Sequence, residues 1–118
     1  MKLMPQEIEV WYVIPALRRD IAKHMLNAGL KQKEIAAKLG LTEPAVSQYI
    51  KSKRGKDIIF QKNIQDMIKK AAKKIIKNDL VMMTEMQSII KIIRKTGLLC
   101  SIACKYHNVD TNCRACMR

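Results

Sequence analysis

All four cysteines of the chain lie in its last nineteen residues, "CSIACKYHNVDTNCRACMR". A thiolate can be a nucleophile, a redox centre or a metal ligand, and spacing decides which chemistry is open to it. Cys100 and Cys104 are separated by three intervening residues inside "GLLCSIACKYH", an apolar stretch compatible with a helix. At that spacing both sulfurs leave the same face. Cys113 and Cys116 form a C-x2-C knuckle in a polar stretch, after eight intervening residues. Four converging thiolates make an all-cysteine site for structural zinc or for an iron–sulfur cluster. Zinc ribbons usually carry two C-x2-C turns, whereas here the first pair is more widely spaced and has aliphatic neighbours. Those neighbours would shield a cluster and tune its potential, so the iron–sulfur cluster is the preferred reading and zinc the alternative. His107, three residues after Cys104, could replace a thiolate, although an exposed histidine is its plainer role.

The compartment bears on the same choice. The opening "MKLMPQEIEV" lacks an apolar stretch before a small-residue cleavage site, and no run of about 18 apolar residues occurs. A cytoplasmic protein is therefore expected, with reduced thiols that favour metal binding over disulfides. No nucleophile–base set, paired carboxylates or phosphate loop accompanies the cysteines. An enzyme is not expected, and no residue is assigned a catalytic role.

A second group of residues points to a different chemistry. The formal net charge is +13, from 23 basic and 10 acidic residues. The excess is spread along the chain, net +5 over residues 1–57 and net +8 over 58–118. Self-repulsion on this scale implies a polyanionic partner, either nucleic acid or an anionic membrane surface. Within the basic chain, "KQKEIAAKLGLTEPAVSQYIKSKRG" is the most specific signal. Ile35, Ala36 and Leu39 make the apolar face of one short helix, and Val46, Tyr49 and Ile50 that of the next. Thr42 suits the N-cap of the second helix, with Glu43 and Pro44 in its first turn. Ala36 leaves room for two helices to approach, Gly40 permits a positive φ in the turn, and Val46 fills the gap between them. Small residue, glycine and aliphatic plug at these offsets form a helix-turn-helix.

In that geometry the second helix enters the major groove and offers its outward residues to base edges. The outward set read from the sequence is Thr42, Glu43, Pro44, Ala45, Ser47, Gln48 and Lys51. Gln48 could address adenine through two hydrogen bonds, Glu43 could accept from cytosine N4, and Ala45 could touch a thymine methyl. Lys31, Lys33, Lys53 and Arg54 flank the helix and would neutralise phosphates, which positions it without specifying sequence.

The string "QKEIAAKLGLTEPAVSQYIKSKRG" resembles the Cro/CI-type (XRE-like) helix-turn-helix. The wider stretch from "VWYVIPALRRD" through "SKRG" resembles a family of archaeal transcriptional regulators in which Cys-rich tails occur. The resemblance implies a DNA-binding regulator, and it carries Gln32 over as a phosphate contact at the start of the first helix. It also implies a homodimer on a palindromic operator in double-stranded DNA. A helix-turn-helix, long helices and a cysteine cluster together are similar to iron–sulfur or redox-sensing regulators of other families.

The elements that must position these groups are all helical. "PALRRDIAKHMLNAG" repeats apolar residues at Leu17, Ile21, Ala22 and Met25, opens on Pro15 and closes on Gly29. Upstream, "PQEIEVWYVI" suits a helical turn or two, with Trp11 as a core anchor. Between Lys56 and Thr96 no Gly or Pro occurs. Phe60, Ile64, Met67, Ile68, Ala71 and Ile75 mark one apolar face, and Met82, Met86, Ile89, Ile90 and Ile93 another. Asn78 and Asp79 are poor helix-interior residues, so two helices of about 20 and 17 residues are expected, the alternative being one of about 60 Å. Two such faces exceed what a single small reading domain needs, which suggests self-association. Lys69, Lys70, Lys73, Lys74 and Lys77 fall on the polar side. A basic amphipathic helix also raises membrane-surface binding, but beyond Phe60 the apolar side lacks the aromatic anchors such a helix uses, and no membrane partner is expected.

The expected fold is all-α. Residues 1–56 form the helix-turn-helix DNA-binding domain, 57–96 a core-closing and dimerisation region, and 97–118 a four-cysteine tail. The expected function is a sequence-specific, homodimeric transcriptional regulator that senses iron, sulfur or redox state through a cluster on Cys100, Cys104, Cys113 and Cys116. A zinc-stapled basic adaptor is the alternative.

Overall fold

In a computed structural model that describes residues 4–51 and 58–107, the chain is helical from Pro5 to Asn27 in three consecutive pieces. These are α1 (Pro5–Ile8), a π-helical turn (Glu9–Val13) and α2 (Ile14–Asn27). The helix is longer than the turn or two expected, and its wide turn changes which residues face inward. The Ile14 N–H donates to the Glu9 carbonyl, five residues back. Val13 therefore lies below Ile8, both fully or almost fully buried, where an α-helix would have put Trp11 or Tyr12. Trp11 is 51% exposed, which corrects its assignment as a core anchor.

Chain reversal after α2 depends on Gly29. Its φ is +99°, its N–H donates to the Leu26 carbonyl (3.0 Å), and the Leu30 N–H reaches back to Met25 (3.1 Å). These two bonds satisfy carbonyls that the helix end would otherwise leave orphaned. Two short helices follow, α3 (Gln32–Leu39) and α4 (Glu43–Ile50).

Beyond them, α5 (Lys62–Lys77) and α6 (Met82–Lys95) are separated at the expected place. Asn78 leaves helical geometry, and its side chain accepts from the Leu80 N–H (3.1 Å), which starts the short 3-10 turn Asp79–Val81. Two helices rather than one cover this stretch, each somewhat shorter than expected. Lys69, Lys70, Lys73, Lys74 and Lys77 are exposed, and Lys74 Nζ pairs with Glu85 across the turn at 3.2 Å. A further helix, α7 (Leu98–His107), follows Gly97.

The buried residues from Ile8 to Ile102 form one apolar cluster, with α2 at its centre, packed against α4 and α5. Ile68, Ile75, Ile89, Ile93 and Leu99 are each at most 1% exposed. Burial of a side chain of this size contributes about 1.5–3 kcal/mol before entropy is counted. Both apolar faces of the α5–α6 pair are thus spent inside one copy. This corrects the surplus-face argument for self-association: α7, with Leu99, Cys100 and Ile102, covers the second face. Among the described residues no helix is long and apolar enough to cross a membrane.

Candidate nucleic-acid interface

Helices α3 and α4 are held by the residues whose spacing announced them. Ile35 is fully buried, Ala36 and Leu39 nearly so, and Val46 has no exposed surface. Gly40 has φ +66°, and the Leu41 N–H donates to the Ala36 carbonyl at 2.9 Å. A Cβ added at Gly40 would meet no atom within 4 Å, so the turn demands glycine for its conformation and not for lack of space. Gly40→Ala is expected to cost about 1 kcal/mol, the penalty of a left-handed L-residue, with Gly40→Asn costing less. Chemical denaturation midpoints check this, and equal midpoints for all three proteins would contradict it.

Each helix start is also capped. Thr42 Oγ1 accepts from the Ala45 N–H (3.2 Å) and orders the first turn of α4. Glu34, which the sequence reading did not single out, accepts from the Lys31 N–H (3.2 Å) and does the same for α3. Its signal was half present: a Glu three residues after the cap position, without the Ser or Thr that completes a capping box. α4 packs on α2 as well as on α3, so it is fixed from two sides.

The surface this leaves can be compared with the expected reading set by exposure alone. Thr42, Glu43, Pro44 and Lys51 are exposed, and Ser47 and Gln48 are half-buried at the flank of α4. Ala45 is 8% exposed, which corrects its place in the outward set. Its side chain is almost wholly covered, so a thymine contact from it does not fit this geometry. Lys31, Gln32 and Lys33 are exposed together at the start of α3. There the unpaired N–H groups and the helix dipole favour an anion such as a phosphate. Lys53 and Arg54 lie outside the described residues.

Of the candidate metal ligands, Cys100 is buried in the core at 7% exposure, and Cys104 is half-buried one turn further along α7. Cys113 and Cys116 lie outside the described residues. Among the described residues no three or more His, Cys, Asp or Glu side chains come together as a metal site.

A family model for winged helix-turn-helix DNA-binding domains matches residues 25–52, the end of α2 through α4. The chain therefore carries a helix-turn-helix of DNA-binding type. No strand occurs among the described residues, so they contain no β-wing. No curated protein and no solved structure matches the chain significantly.

Proposed function

We propose that this chain is a sequence-specific transcriptional regulator that binds double-stranded DNA as a homodimer on a palindromic operator. One observation carries the reading: α4 is clamped by α2 and α3 while Glu43, Pro44, Gln48 and Lys51 keep access to solvent. A helix so anchored can enter a major groove without losing its own support. The arrangement is closer to the wingless Cro/CI type. Eleven residues separate α4 from α5, and the last four of them, residues 58–61, are not strand.

Cys100, Cys104, Cys113 and Cys116 would hold an iron–sulfur cluster. The donor chemistry fits at the two described positions: thiols one helical turn apart, one set in aliphatic packing and one at its edge. A bound cluster supplies a redox couple and a lability toward oxidants and iron supply. The protein's part is to transmit its presence. α7 packs on α1 and α6, α1 continues into α2, and α2 supports α4. Ordering of α7 thus bears on the helix that orients the reading surface. Homodimerisation has a candidate surface where the 3-10 turn runs into α6, at Leu80 and Met83, 86% and 69% exposed.

Anaerobic purification followed by iron, sulfide and zinc analysis tests the cofactor. The expected result is a coloured protein with matched iron and sulfide, lost on Cys113→Ser/Cys116→Ser. A colourless protein with one zinc would establish the staple instead. Duplex selection by the anaerobic protein tests the reader, and enrichment of no sequence would refute it.

A further inference from the structure

Helix α5 gives one side wholly to the core, where Ile64, Ile68, Ala71, Ala72 and Ile75 are each at most 2% exposed. Its other side is a single-sign surface. Lys62, Lys69, Lys70, Lys73, Lys74 and Lys77 are all exposed. At 3.6 residues per turn they share an arc of about 140° centred opposite the buried side, along about 22 Å of helix. Lys74 is matched by Glu85 at 3.2 Å. Among the described residues no ion pair engages the other five. Asp66 is the one carboxylate in the sequence of α5, and Asp79 stands exposed on the turn beyond Lys77.

A face that merely keeps a helix hydrated alternates its charges, because acid–base pairs four residues apart support it. Here Lys69 and Lys73, Lys70 and Lys74, and Lys73 and Lys77 repeat the same sign at that spacing, which disfavours the helix. The helix dipole compensates Lys74 and Lys77 in the last turn. It does nothing for Lys69, Lys70 and Lys73, and it opposes Lys62 at the first position. We infer that the outer face of α5 is a second DNA-binding surface, which holds the phosphate backbone of a duplex without regard to sequence. For the class of partner alone, this rests on the reading of the chain as a duplex binder.

The chemistry of the face selects that partner. A membrane surface is engaged through the apolar side of a basic helix, and that side of α5 is spent in the core. Single strands are held by aromatic stacking, and α5 contains no aromatic residue. An acidic protein would need apolar or aromatic anchors at the centre of the contact, a place where lysine is depleted. Lysines alone, as hydrated point charges on long stems, suit the dense and regular charge of a duplex, roughly one per 1.7 Å of its length. α5 packs on α2 and α6, so these lysines form a set apart from Lys31, Lys33 and Lys51.

Binding of the full chain to a duplex of scrambled sequence is to be followed over a range of salt. Lys69→Gln/Lys73→Gln/Lys77→Gln is expected to weaken it by about tenfold or more and to lower the salt slope by about two to three. Lys69→Arg/Lys73→Arg/Lys77→Arg, which keeps the charges, should bind as the unaltered chain does. The glutamine variant should unfold no earlier at low salt, since it removes two like-charge pairs. If it does unfold earlier, Lys73→Gln alone decides, with an expected loss of about one in slope. Unchanged affinity and slope would overturn the inference and leave a hydrated face. So would an unchanged duplex affinity together with lost binding to phosphatidylserine vesicles, because the lysines would then serve a membrane. Selection of no sequence by the unaltered chain would sink operator reading and leave this expectation standing, whereas an unchanged slope sinks the α5 surface while operator selection survives.

Discussion

Arg94→Met is expected to destabilise the fold by about 2–3 kcal/mol, more than any substitution on the reading surface. The reason is the company Arg94 keeps. Glu9 lies in the π-helical turn with its side chain 7% exposed, a costly place for a carboxylate. Arg94, at the end of α6, answers it with two parallel hydrogen bonds, from Nε to Oε1 and from Nη2 to Oε2 (3.0 Å). Removal of the guanidinium leaves a buried charge without its partner. A fully buried pair broken this way costs about 3–5 kcal/mol, and the lower figure here reflects an Arg94 side chain that is 44% exposed. The hydrogen bond with Glu9 raises the Arg94 pKa above the ordinary guanidinium value, partly opposed by desolvation and helped by the direct attraction between the charges. A base held higher in the folded state stabilises fully below its unfolded pKa, so this contribution persists through neutral pH and is lost only in strong alkali. Urea denaturation checks the size of the effect. Glu9→Met/Arg94→Met should regain more than half of the loss, because the stranded charge is gone. A double variant no better than the single would mean that Arg94 acts by packing alone.

That ion pair also marks the limit of what the sequence discloses. Gly40, Ala36, Val46 and Thr42 were legible because their roles are local. A left-handed φ, a close approach and an N-cap each leave a mark within a few residues of the turn they build. The break at Asn78 was legible for the same reason, since its side chain accepts from an amide only two residues on. Glu9 and Arg94 are 85 residues apart, and no periodicity joins them. The inward placement of Glu9 depends in turn on the π-helical turn, whose extra residue per turn moves Trp11 outward. A reading at the ordinary helical period puts the tryptophan inside. Similarly, the apolar faces of α5 and α6 looked like a surplus in search of a second copy. "GLLCSIAC" draws attention by its thiols, yet its Leu99 and Ile102 complete the core. Ala45 shows the remaining gap. At the flank of a helix a small apolar residue can face either way, and contacts with neighbouring helices decide.

The division of labour on α4 leads to the second large effect. Gln48→Ala should cost about 1–3 kcal/mol of affinity at one base position of the selected operator and little elsewhere. Its amide offers a donor and an acceptor side by side, the pattern that adenine presents in the major groove, and truncation leaves that base edge unmet. Lys33→Ala should behave in the opposite manner. It removes a point charge at the start of α3, so binding weakens on every sequence and the salt dependence flattens by about one ion. Both residues project from elements whose buried sides are set by Ile35, Ala36, Val46 and Tyr49, so neither change should shift the unfolding temperature appreciably. Competition binding of both variants against an operator set that differs one base at a time separates the two behaviours. If Gln48→Ala lowered affinity evenly across that set, the amide would be touching backbone, and the base-reading role would pass to the exposed Glu43 and the half-buried Ser47.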